Sequence, residues 1–438
     1  MAALLTYSSP QEIREVLVGH YTKRFSPVNG AIQIYSRLST TFRSGKTRAI
    51  PYRRHQLLQL ARLAKDNLTK LEDAVAEDLG RPRFESGTDT SAIIGEALRV
   101  AEHIEEWAQP TKPQVEAWRS SWDTTVYNVP KGLVLIISPW NYPFYLNLMP
   151  LIGAISAGCT AVLKPSEMAP ASAKLLAELI PRYLDADACA VVNGGPEETT
   201  ILLDMKWDHI FFTGGTRIGR IVASAAAKHL TPVTLELGGK SPVIVDGEFD
   251  LKLAAKRILY GKFLNCGQLC ITPDYVLIPR DRADDLVDAL KEAYHSFFPD
   301  NPLSKGELFG PILPIVPVDN LDEAVQFVAE RPSPLVVYAF TNGELLKGRL
   351  LETTQSGTLA LNDTITQLMV HEAPFGGKGD SGYGAYFGKD SFDTFTHRRP
   401  YVQIPSEIEP LFAMRYRPYT DEAYATMVSG PKAVIPEA

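Results

Sequence analysis

The sequence predicts an α/β protein in which a doubly wound parallel sheet is followed by a second α/β domain. Two patterns carry this reading, and the composition permits it. From Gly132 onward, apolar runs too short for helices alternate with longer helical stretches, the strand–helix–strand rhythm of a parallel sheet. The rhythm resumes after Lys240, so the second domain is predicted to begin near residue 238. With 45% hydrophobic and 22% charged residues, the 438-residue chain can bury a large core, which excludes disorder, collagen and coiled coil. At about 150 residues per domain, two or three domains are expected.

The N-terminus, MAALLTYSSPQEIREV, has no basic start and no long apolar stretch, so it does not read as a secretory signal. FRSGKTR carries the GKT of a phosphate loop, but Thr40 stands where that pattern needs its first glycine. Over 53–79, Leu57, Leu60, Ala64, Leu68, Leu71, Val75 and Leu79 recur at spacings of three and four, which predicts an amphipathic helix. Residues 132–163 hold no charge and are long enough to span a bilayer. Pro139, Pro143 and Pro150 interrupt the run, and Asn141 and Asn147 place amides in it, so a buried strand, a turn and a core helix fit better.

Strands are then predicted at 133–137, 160–163, 190–192, 209–213, 233–235 and 243–245, with helices near 144–157, 171–184 and 217–229. The second domain continues with a helix over 251–263, a strand at 275–278, a helix over 282–297 and a strand at 336–340. Segments 118–129 and 394–404 look strand-like but fall outside the alternation, so they could pair with each other or with another chain. Gly377, Gly379 and Gly382 spell G-x-G-x-x-G in a glycine-rich loop rather than between a strand and a helix. The tail after Tyr419 shows no hydrophobic anchor.

Forty-four Lys plus Arg against 51 Asp plus Glu give a net charge of −7, so nothing equips the chain to grip nucleic acid. Four cysteines, Cys159, Cys189, Cys266 and Cys270, are too sparse for a disulfide framework and point to a reducing, cytoplasmic setting. With no nearby histidine they do not form a closed zinc site either, and no metal is expected.

Ligands of doubly wound sheets bind at the carboxyl ends of the strands, and each such end here carries an unusual turn. After 133–137 comes SPWNYP, where two prolines fix the backbone around Trp140 and Asn141; the amide either faces the crevice or caps its own helix. After 160–163 comes KPSE, with Lys164 and Glu167 suited to ribose hydroxyls. Gly214 and Gly215 follow 209–213 and lead into a helix, whose free amides could hold a pyrophosphate; a tight turn is the plainer alternative. LELGGKSP ends an apolar strand on Glu236, a place that tends to raise a carboxyl pKa toward general-base use. FLNCGQLC offers Cys266 and Cys270, whose thiols need activation from a pKa of about 8.5 before they are good nucleophiles, and which are otherwise small hydrophobes.

The motifs SPWNYPF, KPSE, FTGG, LELGGKSP, FLNCGQLC, ELFGP and PFGGKGDSG stand in an order and spacing that resembles the aldehyde dehydrogenase superfamily, across roughly residues 30–405. PDY after the cysteine segment and the ending PFGGKGDSGYGAYFGKDSFDTFTHRR are most similar to the class 3 branch, which takes fatty and aromatic aldehydes. The resemblance implies an aldehyde dehydrogenase fold: a Rossmann-like NAD(P)-binding domain over 1–117 and 132–237, a catalytic domain over 238–394, a small β oligomerisation arm over 118–131 and 395–405, and a C-terminal tail over 406–438.

It further implies Cys270 as nucleophile, Asn141 and the Cys270 amide as oxyanion hole, and Glu236 as general base. Lys164 and Glu167 would hold the adenosine ribose, Gly214 and Gly215 the pyrophosphate, and Glu307 and Phe309 the nicotinamide ribose and ring, with Trp140 beside the cofactor. NAD or NADP is the implied cofactor and a homodimer the implied assembly. The expected reaction oxidises an apolar aldehyde, medium or long-chain, aromatic or polyene, to its acid. A small semialdehyde is the alternative substrate; a silent protein of the same fold is opposed by the intact set of Cys270, Glu236 and Asn141. No transmembrane anchor is expected, though peripheral membrane contact would suit such substrates. Two positions depart from the pattern: Gly215 stands where relatives usually have Ser or Asn, and Cys266 would share a helical face with Cys270, where a protective disulfide would be strained.

Overall fold

The structure is a computed structural model and describes residues 27–299 and 312–428. The chain divides into two compact units, one formed by residues up to 107 with 130–396, the other by 108–129 with the segment from 397 onward.

The first unit holds two sheets. One has six strands in the order β12-β6-β5-β2-β3-β4, built from β2 (Leu133–Ile137), β3 (Thr160–Lys164), β4 (Cys189–Val191), β5 (His209–Gly214), β6 (Val233–Leu237) and β12 (Gly382–Tyr383). The other runs β11-β10-β7-β8-β9, from β7 (Pro242–Val245), β8 (Tyr275–Pro279), β9 (Ile315–Val318), β10 (Val336–Phe340) and β11 (Thr358–Leu361). All pairings in both sheets are parallel except β12 with β6. Parallel strands need crossovers, and helices supply them: α5 (Tyr145–Ala157), α6 (Pro170–Tyr183), α7 (Pro196–Leu203) and α8 (Thr216–Ala227) in the first sheet, α9 (Leu251–Phe263), α10 (Ala283–Phe297), α11 (Leu321–Ala329) and α12 (Glu344–Thr353) in the second. Coverage on both faces explains why β2, LVLII, and β10, VVYAF, are buried at every position.

Among the described residues, four α-helices precede the first sheet: α1 (Pro27–Ser44), α2 (Ile50–Asp66), α3 (Leu68–Leu79) and α4 (Arg83–Trp107). The single helix expected over 53–79 is therefore two. Asn67 breaks it: its buried amide donates to the Leu63 carbonyl (2.9 Å) and to the Tyr183 hydroxyl (3.1 Å), tying the junction to α6. The uncharged 132–163 run resolves into β2, a turn, α5 and β3, and among the described residues no helix is long and apolar enough to cross a membrane. Pro150 sits inside α5, where it cannot donate to the Leu146 carbonyl; the Ser138 hydroxyl does so instead at 2.8 Å.

The second unit contains a two-stranded sheet in which β1 (Asp123–Pro130) pairs with β13 (Thr396–Gln403). Trp118 lies before β1 in a 3-10 turn, Ala117–Arg119, and its ring meets Trp122 and Phe412 at 5.6 and 6.3 Å.

Candidate active site

Four neighbouring parallel strands bring the predicted residues to one edge of the six-stranded sheet. Register places Glu236 on β6 opposite Thr213 of β5, and Ile137 of β2 opposite Lys164 of β3. Gly214 ends β5, and the turn after β2 carries Trp140 and Asn141. These carboxyl ends face one crevice because the strands run in one direction.

β12 closes the sheet beside Glu236, pairing Gly382 with it in antiparallel sense. The position demands glycine: φ is +115°, and a Cβ would lie 1.9 Å from the Leu235 carbonyl oxygen. Thus residues 382–383, expected within the catalytic domain, complete the first sheet instead. The loop reading of the late glycine motif gives way here to a 3-10 turn, Gly379–Ser381, and the short β12.

Glu236 is 2% exposed, and among the described residues the Cys270 thiol is the one group close enough to hydrogen-bond its carboxylate. Burial pushes its pKa from 4.5 up to about 7, with the neighbouring Cys270 thiol pulling slightly the other way. The Cys270 thiol is itself driven well above its ordinary value, by burial first and then by the Glu236 carboxylate, while the amides of Cys270 and Ile271 act in the opposite direction. The two groups thus keep their protons to higher pH than either would in water, and Glu236 is the one that ionises near neutral pH.

Cys270 sits beyond α9 in a loop entered through three successive left-handed residues: Asn265 (φ 47°), Cys266 (φ 53°) and Gly267 (φ 76°). Cys266 accordingly does not share a helical face with Cys270; it is exposed on this turn, and both thiols are free. Asn141 Nδ2 donates to the Gln268 carbonyl at 2.8 Å, and its Oδ1 is buried without a partner. Asn265 Nδ2 returns a bond to the Asn141 carbonyl at 3.0 Å.

Aromatic groups surround the thiol. Tyr142, Tyr145 and Tyr386 lie within electrostatic reach of Cys270, and burial raises each phenol. Tyr386 packs on Phe387, Phe375 and Phe211 at 4.8, 5.6 and 5.2 Å, and Tyr145 meets Phe387 edge-on. Arg81 stacks over Tyr142 at 4.0 Å, but its charge is matched by Glu85 and Asp89.

The cofactor positions divide. Lys164 is buried, and its ammonium donates to Pro165 O, Gly194 O and Glu167 Oε2 at 2.7, 2.8 and 3.0 Å, which uses all three hydrogens; Glu167 is half-exposed. Gly215 caps α8 with φ −75°, and a Cβ there would meet nothing within 4 Å, so the helix start is open ground. Glu307 and Phe309 lie outside the described residues. Sequence reasoning missed Arg81, Glu85, Tyr142, Asn265 and Gln268; the four-residue spacing of Arg81, Glu85 and Asp89 was the available signal for the first two.

The sequence model of the Aldehyde dehydrogenase family matches residues 31–306 and 297–400. The chain belongs to the aldehyde dehydrogenase family. This aldehyde dehydrogenase is 40% identical to aldehyde dehydrogenase family 3 member A2 of Pongo abelii, with 87% of this chain and 90% of the relative covered. It is 38% identical to the dimeric NADP-preferring aldehyde dehydrogenase of Rattus norvegicus, over 87% and 96%. Among solved structures it is similar to substrate-bound AldH of Staphylococcus aureus, with a TM-score of 0.81, 33% identity and coverage of 88% and 99%. As a member of the family it is an oxidoreductase that oxidises aldehydes with NAD or NADP.

Proposed function

We propose that this aldehyde dehydrogenase converts apolar aldehydes, medium or long-chain, aromatic or polyene, to carboxylic acids through a covalent intermediate on Cys270. The observation that carries the reading is the buried Glu236 carboxylate, whose neighbouring hydrogen-bonding group is the Cys270 thiol. The aromatic surround supports the apolar substrate. So does Arg81, the cation stacked on Tyr142, because its two carboxylate partners leave no charge to meet an anionic aldehyde.

Glu236 takes the thiol proton, and the Cys270 sulfur adds to the carbonyl carbon while the C=O π pair moves onto oxygen. The Cys270 amide and the Asn141 side chain, once released from Gln268, donate to that oxygen. NAD(P)⁺, when bound, would accept the hydride from that carbon; the C–H pair would leave with it and the oxyanion pair would re-form C=O, giving the Cys270 thioester. Glu236, having released the thiol proton to solvent, takes a proton from water; the water oxygen attacks the thioester, the C–S bond breaks, the sulfur recovers the proton from Glu236 and the acid departs.

The residues fit the cofactor. The open N-terminus of α8 at Gly214 and Gly215 suits the pyrophosphate, the half-exposed Glu167 carboxylate, held in place by buried Lys164, suits the adenosine ribose, and Trp140 the crevice wall. Glu307 and Phe309 complete the assignment at the nicotinamide end. In this scheme residues 1–117 and 132–237 bind the cofactor, 238–394 carry the chemistry with Gly382–Tyr383 lent to the cofactor-side sheet, and 118–131 with 395–405 serve as a homodimer arm. A cytoplasmic enzyme with peripheral membrane contact accords with apolar substrates.

The test follows NAD(P)H absorbance with hexanal, a long-chain alkenal, benzaldehyde, an apo-carotenal and succinic semialdehyde, beside Cys270→Ala. Turnover of the apolar aldehydes that vanishes in the variant is expected. Turnover of the semialdehyde alone sinks the substrate reading, and unchanged activity in Cys270→Ala sinks the mechanism.

A further inference from the structure

The left-handed turn ahead of Cys270 is held from outside its own element. Asn265 and Cys266 occupy backbone conformations that β-carbon sterics disfavour, and such residues persist only where surrounding bonds over-determine them. The restraint comes from α4: Glu85 Oε2 accepts the Asn265 amide N–H at 2.9 Å across 180 residues of sequence. Arg81 Nε donates to that same oxygen at 3.1 Å, while its Nη1 pairs with Asp89 and its plane lies on Tyr142. From Asn265 the bonding continues inward, Nδ2 to the Asn141 carbonyl, and Gln268 O receives the Asn141 amide.

We infer that Glu85, itself held by Arg81, is a positioning residue that fixes the cysteine loop against Asn141 and so sets the approach of the Cys270 sulfur. The inference rests on the covalent role of Cys270 proposed above. Glu85 touches none of the reacting atoms and acts through the Asn265 amide alone. Its effect therefore falls on the chemical step, not on cofactor affinity.

Glu85→Ala removes the acceptor, and Glu85→Gln keeps an oxygen that can accept the same N–H without the charge. Glu85→Ala is expected to lower kcat about 10²-fold, the loss that a displacement of about 1 Å brings, with cofactor Kd unchanged. Glu85→Gln is expected to restore most of kcat. A second readout needs no turnover: the rate at which iodoacetamide labels Cys270 relative to exposed Cys266, measured by peptide mass, should change several-fold in Glu85→Ala and little in Glu85→Gln.

Full kcat in a folded Glu85→Ala overturns the inference. Equal loss in both variants also overturns it, because the ion pair with Arg81 would then be what matters. Where Glu85→Ala does not fold, Glu85→Asp, which withdraws the acceptor oxygen from the Asn265 N–H while keeping the charge, must shift the labelling ratio or the inference fails. Wild-type protein inactive on every aldehyde refutes the proposed function, and the labelling ratio still decides the role of Glu85.

Discussion

A carboxyl group sealed from water with no cation beside it keeps its proton to higher pH than it does in the unfolded chain. Glu236 is such a group, with its pKa moved from 4.5 to about 7. Between those values the native state binds more protons than the unfolded state, so stability falls as pH rises across that window. Glu236→Gln should flatten this slope, by about 3 kcal/mol between its ends, in urea unfolding at stepped pH. The same ionisation makes the base available, so kcat in the wild type should climb through pH of about 7, and the climb should be lost with the carboxylate. Gly215 offers a second test. Its φ of −75° needs no glycine and its surroundings are open, so Gly215→Ser should fold normally, add an N-cap and tighten NAD(P)⁺ in a fluorescence titration.

Elements here are fastened by bonds from other elements. The α6 helix has no cap of its own; Asp78 of α3 accepts the Ala171 and Ser172 amides at 2.9 and 2.8 Å. Asp78→Ala should cost about 1–2 kcal/mol and lower the thermal midpoint, with the secondary-structure content unchanged by circular dichroism. Such fastenings mark what the sequence could and could not reveal. The strands were legible because burial on both faces writes them as unbroken Val, Ile and Leu, and Glu236 and Cys270 because reactive groups beside glycines stand out from such runs. The break at Asn67 was not legible, since the apolar stripe of α2 runs on into α3 and only the contact with Tyr183 ends it. The α4 helix is not legible because its first two turns, RFESGTDT, set Gly87 and the β-branched Thr88 and Thr90 among the good helix formers Arg83 and Glu85. Glu85 hid for a further reason: its partner at Asn265 is remote in sequence, and no local pattern encodes it.

The whole molecule gathers two sheets and the proposed arm into one chain, and a relative in rat is named as dimeric. Sedimentation equilibrium should return twice the chain mass, and charged replacements at exposed Tyr401 and Val402 of β13 should return the monomer. The antiparallel pairing of β12 with β6 also orders events in time. β6 is complete at Leu237, whereas its edge partner begins at Gly382. At about 5–20 residues per second of synthesis, the nascent chain carries an uncovered β6 edge for on the order of ten seconds. Open strand edges recruit other chains. A polypeptide halted after Cys270 but before Gly382 therefore already holds nucleophile and base, yet its fate is set by chaperones and aggregation rather than by its chemistry.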